Sequence, residues 1–268
     1  MSQGIRPVGG CVFFAGPPVR IVMIGKTGVG KSAVGNTIVN KKAFISLESP
    51  ESVTAHCRHA QLEGEKREVH VVDTPGILDT SKSVEVVKKE IIKCIQMSTP
   101  GPHVFLLVLQ IGRFTKEEEN CVDALEKLFG PEMSKYMIVL FSHGDKLTQQ
   151  GTTIFDYLRS GHPKLTELLN RCGNRFHVFN NKDKKNRKQV AELIKKIDEM
   201  VAANRASYYS DDMFEAVDRT QRQPDKLPDG TEDLNVNVLS ELLQRIIQFQ
   251  ATLSATTPAP AAVYDNKT

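Results

Sequence analysis

The sequence contains few cysteines and little excess charge. Its five cysteines are odd in number and scattered, and no two of them form a Cys-x-x-Cys pair. This usage argues against a disulfide framework and against a zinc site, and it favours a reducing compartment. The net charge of the 268 residues is only +3, so composition gives no case for binding nucleic acid. The cysteines are Cys11, Cys57, Cys94, Cys121 and Cys172.

The chain also lacks recognisable export and membrane signals. Residues 1–18 have no basic region followed by a long apolar stretch, so they do not form a secretory signal. No apolar run is long enough to span a bilayer, and Ser2 stands where N-myristoylation requires glycine. With 40% hydrophobic and 25% charged residues, the composition is ordinary for a globular protein. We therefore expect a cytoplasmic protein without a transmembrane segment.

The stretch 25–32, GKTGVGKS, matches the phosphate-binding pattern G-x-x-x-x-G-K-[ST] in full. An apolar run at 20–24 predicts a strand before this loop, and 33–39 predicts a helix after it. Between those elements, backbone N–H groups and the helix N-terminus can point at one phosphate group. Lys31 would place its charge on the β/γ-phosphates, and the Ser32 hydroxyl would ligate Mg²⁺. The predicted phosphate-binding residues are Gly25, Thr27, Gly28, Val29, Gly30, Lys31, Ser32, Ala33 and, from a later turn, Gly76.

That later turn is Asp73-Thr74-Pro75-Gly76, which ends another predicted strand. An Asp at this place beside a phosphate loop holds Mg²⁺, usually through water. The Gly76 N–H can reach a γ-phosphate, so the turn can sense whether that phosphate is present. Thr54 is a further candidate Mg²⁺ ligand when the γ-phosphate is bound, with Ser52 as its competitor. A plain loop threonine at position 54 is an equally good interpretation.

The sequence Ser142-His143-Gly144-Asp145 follows the fifth predicted strand. Guanine presents N1–H and N2–H₂ as adjacent donors, and one carboxylate can accept both, whereas adenine offers no such pair. Asp145 is placed for that role, and His143 could stack on the ring. The alternative for Asp145 is a helix cap or a surface charge.

Strands that alternate with helices predict an α/β fold whose sheet is mostly parallel with one antiparallel edge strand. We divide the chain into a flexible N-terminal arm (1–18), a nucleotide domain (19–205), a C-terminal helical extension (206–255) and a disordered tail (256–268). The extension carries a predicted short helix at 208–219, a linker at 221–233 and a helix at 234–253. An apolar stripe on that last helix is expected to pack on the nucleotide domain, and comprises Leu239, Leu242, Leu243, Ile246 and Ile247.

Over residues 20–204 these motifs resemble the GTPases of immunity-associated proteins, also called the GIMAP or immune-associated nucleotide-binding family. The resemblance rests on the phosphate loop, on 73–76, and on 102–115, which is similar to a box peculiar to that family. The resemblance implies a septin- and Toc-related G domain, with a Ras-like P-loop GTPase sheet, that binds GTP or GDP with Mg²⁺. It also implies a GTP-dependent homodimer, or hetero-oligomer with related GTPases, formed across the nucleotide face. Phe179-Asn180-Asn181-Lys182 is similar to the fifth family motif, in which Asn181 would help hold the base.

Departures from the wider GTPase pattern bear on hydrolysis. The guanine motif lacks its usual lysine, Thr27 stands where glycine is common, and Ile77 stands where many small GTPases place a water-orienting Gln. We therefore expect slow hydrolysis unless Arg113 acts from a partner subunit; the alternative for Arg113 is a surface or capping role. The expected protein is a GTP-binding switch or scaffold with Lys31 and Arg113 as candidate catalytic residues. A GTP-locked scaffold without hydrolysis, or a P-loop ATPase or kinase, is the alternative.

Overall fold

The computed structural model describes residues 16–46, 57–61, 67–205, 207–212, 214–215 and 231–255, with side chains in the last range from Ser240 onward. Its six-stranded sheet has the order β2-β3-β1-β4-β5-β6. Only β2 runs antiparallel to its neighbour, and the other described pairings are parallel. The predicted mixed sheet with one antiparallel edge strand is thereby confirmed. The strands are β1 (Val19–Ile24), β2 (Arg58–Gln61), β3 (Val69–Asp73), β4 (Val104–Gln110), β5 (Met137–Ser142) and β6 (Phe176–Val178).

The helices follow the predicted alternation with three differences. The predicted helix 116–129 is divided at Asn120, whose side-chain amide donates to the carbonyl of Ala255 at 2.9 Å. A short helix begins at Asp145 where none was predicted, and the last helix begins inside the predicted linker. The described helices are α1 (Lys31–Val39), α2 (Val84–Ser98), α3 (Lys116–Glu119), α4 (Cys121–Phe129), a 3₁₀ turn (Pro131–Tyr136), α5 (Asp145–Gln149), α6 (Ile154–Arg159), α7 (Pro163–Arg171), α8 (Lys188–Ala203) and α9 (Thr231–Ser254).

Helices cover both faces of the sheet. Side chains alternate along β1, so Ile21 and Met23 enter one apolar core while Val22 and Ile24 enter the other. The first core also contains residues of α1 and α8, and the second contains residues of α2, α4, α7 and α9. Strand β5 is buried along its whole length, as its continuous apolar sequence requires. This double cover leaves the carboxyl ends of the parallel strands as the place for a site.

Helix α9 packs on the nucleotide domain, as predicted from its apolar stripe. Leu242 and Ile246 are buried in the core that α2 and α4 share, together with Phe249 and Leu253 further along the helix. The spacing of these four residues places them on one helical face. The prediction is wrong for Leu243 and Ile247. Each follows a buried residue by one position, so it faces away from the domain, and they are 37% and 51% exposed. The side chain of Leu239 lies outside the described residues.

Two polar contacts also hold the same helix in place. Arg245 pairs with Asp211 at 2.9 Å, and Gln250 Nε2 donates to the carbonyl of Lys82 at 2.8 Å. The C-terminal helix is therefore anchored to the segment that joins the Asp73–Gly76 turn to α2. None of the described helices is long and apolar enough to cross a membrane.

Candidate functional site

The phosphate loop forms between β1 and α1 and is closed by its own lysine. Gly28 and Gly30 have φ angles of 82° and 93°, which favour glycine because it has no Cβ. The ammonium of Lys31 donates to the carbonyl oxygens of Gly25 at 3.0 Å and of Lys26 at 2.7 Å. The first turn of α1 carries no acidic side chain, so its free N–H groups can receive an anion. The geometry is that of a phosphate cradle.

Lys31 is buried in this cradle. Burial lowers the pKa of its ammonium from 10.5 to about 8, while the nearby carboxylate of Asp73 acts in the opposite direction. Burying a charged group without a full counter-ion is energetically unfavourable, because the group loses its hydration. A phosphate group placed in the loop would supply the missing negative charge.

Asp73 faces the same loop from the end of β3. The Ser32 hydroxyl donates to Asp73 Oδ2 at 2.6 Å, which joins the two predicted metal ligands. The other carboxylate oxygen, Oδ1, is buried and has no hydrogen-bond partner among the described residues. Burial raises the pKa of Asp73, and the Ser32 hydrogen bond and the Lys31 charge oppose that rise.

This oxygen pair fits Mg²⁺, which prefers hard oxygen ligands and commonly takes one or two protein ligands plus nucleotide oxygens and water. No group of three or more His, Cys, Asp or Glu side chains that could hold a metal occurs in the described part of the chain. The other ligands would therefore come from nucleotide and water. Thr54 and its competitor Ser52 lie outside the described residues.

The Asp73–Gly76 turn packs directly on the phosphate loop. The Thr74 hydroxyl donates to the carbonyl of Met23 at 2.7 Å, which fixes the turn to β1. A Cβ on Gly76 would lie 2.4 Å from Thr27 Oγ1 and 2.5 Å from Thr27 N, so only glycine fits. Ile77 is 2% exposed and its side chain lies in the apolar core beneath α2. The residue after the turn thus serves packing.

Ser142 at the end of β5 supports the phosphate loop, a role that sequence reasoning missed. Its hydroxyl donates to the carbonyl of Val29 at 2.6 Å. His143 Nδ1 lies 2.9 Å from the same hydroxyl, and His143 adopts a left-handed φ of 59°. A Cβ on Gly30 would be 3.6 Å from His143 Cε1, so the imidazole lies beside the loop. No local pattern marks this contact, because 113 residues separate Ser142 from Val29.

The candidate base-binding residues meet where β5 and β6 end. Asp145 begins α5, and its side chain, 12% exposed, accepts from the Lys182 ammonium at 2.6 Å. That hydrogen bond and charge lower the pKa of Asp145. Asn181 Oδ1 accepts from the Thr37 hydroxyl on α1 at 2.8 Å. Asp145 thus has a cationic partner in this structure, one that the sequence pattern did not indicate.

Arg113 is exposed in the turn after β4, where its backbone N–H donates to the carbonyl of Gln110 at 3.1 Å. The segment that follows is tied to the phosphate loop. Lys26 pairs with Glu117 at 3.2 Å and approaches the Thr115 hydroxyl at 3.5 Å. The structure therefore brings the box containing Arg113 next to the phosphate loop of the same chain.

The family model described as "AIG1 family" matches residues 19–227. Immune-associated nucleotide-binding protein 9 of Arabidopsis thaliana is 37% identical over 225 residues, which cover 82% of this chain and 65% of that protein. The chain thus spans slightly less than two thirds of this relative's length.

Two solved structures of Toc33 from Arabidopsis thaliana share the fold. The complex with Mg²⁺ and GMPPNP has a TM-score of 0.52 at 17% identity, covering 69% of this chain and 85% of that one. A dimerization-deficient mutant of Toc33 has a TM-score of 0.51 at 15% identity, covering 70% of this chain and 86% of that one. This likeness establishes the small-GTPase architecture of the sheet and its helices.

Proposed function

The chain belongs to the AIG1 family, and we propose that it binds GTP and GDP with Mg²⁺ and dimerises across its nucleotide face in the GTP state. The observation that carries nucleotide binding is the buried Lys31, which closes a phosphate loop beside Ser32 and Asp73. Relatives that are named for nucleotide binding support the same reading. The remaining phosphate contacts are the backbone N–H groups of the loop and, in the GTP state, that of Gly76.

Guanine preference is assigned to Asp145, with Asn181 and His143 beside it. The carboxylate can accept the two adjacent guanine donors, and the lowered pKa of Asp145 means that it is ionised at neutral pH. Base binding would replace the Lys182 ammonium by the base N–H groups. This exchange keeps the carboxylate paired at each stage, which is the condition for a buried charge to be tolerated.

Ser32 and Asp73 would hold Mg²⁺, and Thr54 remains a proposed third ligand. When bound, the ion neutralises charge on the β- and γ-phosphate oxygens. The chain's own contribution is to hold the Ser32 hydroxyl and the Asp73 carboxylate together, which the 2.6 Å hydrogen bond supports. The domain limits at 19–205 and 206–255 and a cytoplasmic location are proposed on sequence grounds.

Hydrolysis is proposed to be slow in the monomer and faster in a dimer. Ile77 is buried in the core, so the turn offers no side chain to orient water. Arg113 is exposed beside the phosphate loop and could reach the nucleotide of a partner subunit, where it would stabilise transition-state charge. A solved Toc33 structure is described as a dimerization-deficient mutant, which supports the proposal that a protein of this fold can dimerise.

The buried Ile77 favours one second candidate, a GTP-locked scaffold in which GTP controls assembly without turnover. Size measurement by light scattering with GDP and with a non-hydrolysable GTP analogue, alongside single-turnover hydrolysis, separates the two candidates. A switch dimerises with the analogue and hydrolyses GTP in that dimer. A scaffold forms the dimer, and its bound GTP is still not hydrolysed after many hours. A protein that stays monomeric with both nucleotides contradicts both proposals.

A further inference from the structure

Two histidines face each other across the outer pair of strands, on the edge of the sheet away from β6. Strand β2 pairs with β3 so that His59 stands opposite Val72 and Gln61 stands opposite His70. The two histidines are therefore diagonal neighbours on one face of the sheet. His59 Nε2 lies 3.0 Å from His70 Nδ1, with ring centroids 5.2 Å apart and ring planes inclined by 26°.

A carboxylate completes this cluster from the far side of one ring. Glu68 Oε2 lies 3.4 Å from His70 Nε2, so the carboxylate can accept the Nε2–H of His70. In that tautomer His70 directs the lone pair of Nδ1 at His59. A carboxylate that accepts from the outer nitrogen of an imidazole is the usual arrangement behind histidines that bind metal ions.

We propose that His59 and His70 form a two-imidazole binding site for a divalent transition metal ion of the zinc, nickel and copper class, with Glu68 orienting His70. Two nitrogens bound tetrahedrally to zinc at ordinary distances lie about 3.3 Å apart. The observed 3.0 Å separation reaches that value through a small rotation of either ring. His59 moves its proton from Nε2 to Nδ1, which frees the Nε2 lone pair without a net gain or loss of protons.

The surroundings suit an exchangeable ion. His59 is exposed, and the His70 and Glu68 side chains are 26% and 61% exposed. Burial and the neighbouring imidazole lower the pKa of His59. Because no cluster of three His, Cys, Asp or Glu ligands occurs in the described ranges, water would fill the remaining positions.

This site is separate from the nucleotide site. His70 lies near the start of β3, whereas Asp73 ends the same strand beside the phosphate loop. Imidazole nitrogens select zinc, nickel or copper, while the oxygens of Ser32 and Asp73 select Mg²⁺. An ion held by both histidines would join the edge strand β2 to β3, in addition to the hydrogen-bond ladder that pairs the two strands.

The test titrates Zn²⁺ into the full chain loaded with GDP in excess Mg²⁺, by calorimetry. We expect one saturable site that His59→Gln and His70→Gln each weaken about tenfold or more, while Glu68→Gln weakens it less. His162→Gln is the matched control, because His162 is 52% exposed and caps the N-terminus of α7, away from the pair. Its variant should bind Zn²⁺ as the wild type does.

A second measurement needs no variant: amide exchange of 58–61 and 69–72 in wild type should slow when Zn²⁺ is added. Equal Zn²⁺ affinity in wild type and His59→Gln, or unchanged exchange at saturating Zn²⁺, overturns the proposal and leaves the pair as a hydrogen bond between strands. Variants that lose GDP binding are treated as misfolded, and the exchange measurement then decides.

Discussion

The two halves of the candidate nucleotide site are built differently. On the phosphate side, protein groups hold one another: buried Lys31 donates to two loop carbonyls, and half-buried Ser32 donates to buried Asp73. On the base side, Asp145 is paired with the ammonium of Lys182, whose side chain is 70% exposed. The phosphate half is therefore organised before any ligand arrives, whereas the base half must exchange one partner for another.

This difference predicts which half of the site contributes more to the free energy of nucleotide binding. A buried lysine without a full counter-ion is an unfavourable charge, and a phosphate relieves it. An exposed ion pair contributes little, because water screens it and the long lysine side chain loses entropy. Phosphate-side substitutions should therefore produce large losses, and base-side substitutions should change selectivity more than overall affinity.

The largest expected effect concerns turnover at the phosphate half. An arginine supplied in trans is worth about 10³ to 10⁵ in rate in GTPases that use one. Arg113→Ala should lower hydrolysis far more than GTP affinity, and wild-type specific activity should rise with protein concentration. Lys116→Ala is a nearby control, because it removes an exposed charge from the same segment. Flat activity across a hundredfold dilution, or normal hydrolysis by Arg113→Ala, would rule out the trans arginine.

Removing Lys31 should have the next largest effect. Charge-assisted hydrogen bonds to phosphate that are lost from a buried site cost about 3 kcal/mol or more, which is about a hundredfold or more in affinity. Lys31→Ala should therefore bind labelled GDP at least that much more weakly while its circular dichroism spectrum stays native. Lys188→Ala, an exposed lysine at the start of α8, is the control. Unchanged GDP affinity in folded Lys31→Ala would remove the phosphate-loop assignment.

Base selectivity comes third. A buried pairing lost from Asp145 should cost about 2 to 4 kcal/mol of discrimination, because unpaired polar groups remain. Asp145→Asn should weaken GDP but improve xanthosine diphosphate, since the asparagine amide can donate to the xanthine carbonyl. Competition against labelled GDP measures both, with Asp183→Asn as the control. Equal displacement by ATP and GTP in wild type would contradict guanine reading altogether.

The phosphate half could be predicted from sequence because its geometry is local. Eight consecutive residues between a strand and a helix determine where the Lys31 ammonium and the loop N–H groups point. The contacts that support it are not local. Ser142 reaches Val29, and Lys26 reaches Glu117, only because the parallel strands end side by side. No period or motif in the sequence encodes such pairs.

The C-terminal helix shows the same limit. Its apolar stripe predicted a contact with the nucleotide domain, and Leu242 and Ile246 make it. The predicted stripe is wider than the helix face that packs on the domain. Leu243 and Ile247 belong to the stripe but are exposed in the structure. Similarly, Asn120, where the predicted helix is interrupted, donates its side-chain amide to a carbonyl 135 residues away. Which part of an amphipathic face is buried depends on the partner surface, which the helix's own sequence does not contain.

A fourth prediction follows from the lowered pKa of Lys31. Because its folded pKa of about 8 is below the ordinary 10.5, unfolding at pH between these values takes up a proton. Stability of the nucleotide-free protein attributable to this group should therefore rise from pH 8 to about 10.5, and below pH 8 the charge is a constant cost. Lys31→Met should be more stable than wild type at pH 7 in urea unfolding, with the gap closing as pH rises. If the stability difference between Lys31→Met and wild type does not change with pH, burial does not lower the pKa of this lysine.

The smallest expected effect tests the base half directly. If Lys182 must leave Asp145 before guanine can bind, removing the lysine should strengthen GDP binding, within about 1 kcal/mol because the lysine side of the pair is 70% exposed and screened by water. Lys182→Ala should therefore bind GDP a few-fold more tightly at low salt, and added salt, which screens the wild-type pair, should narrow the difference. Lys184→Ala, two residues along the same loop, controls for the loss of local positive charge toward the phosphates. Weaker GDP binding by Lys182→Ala but not by Lys184→Ala would mean that Lys182 contacts the nucleotide, and the base half would then be assembled by the ligand.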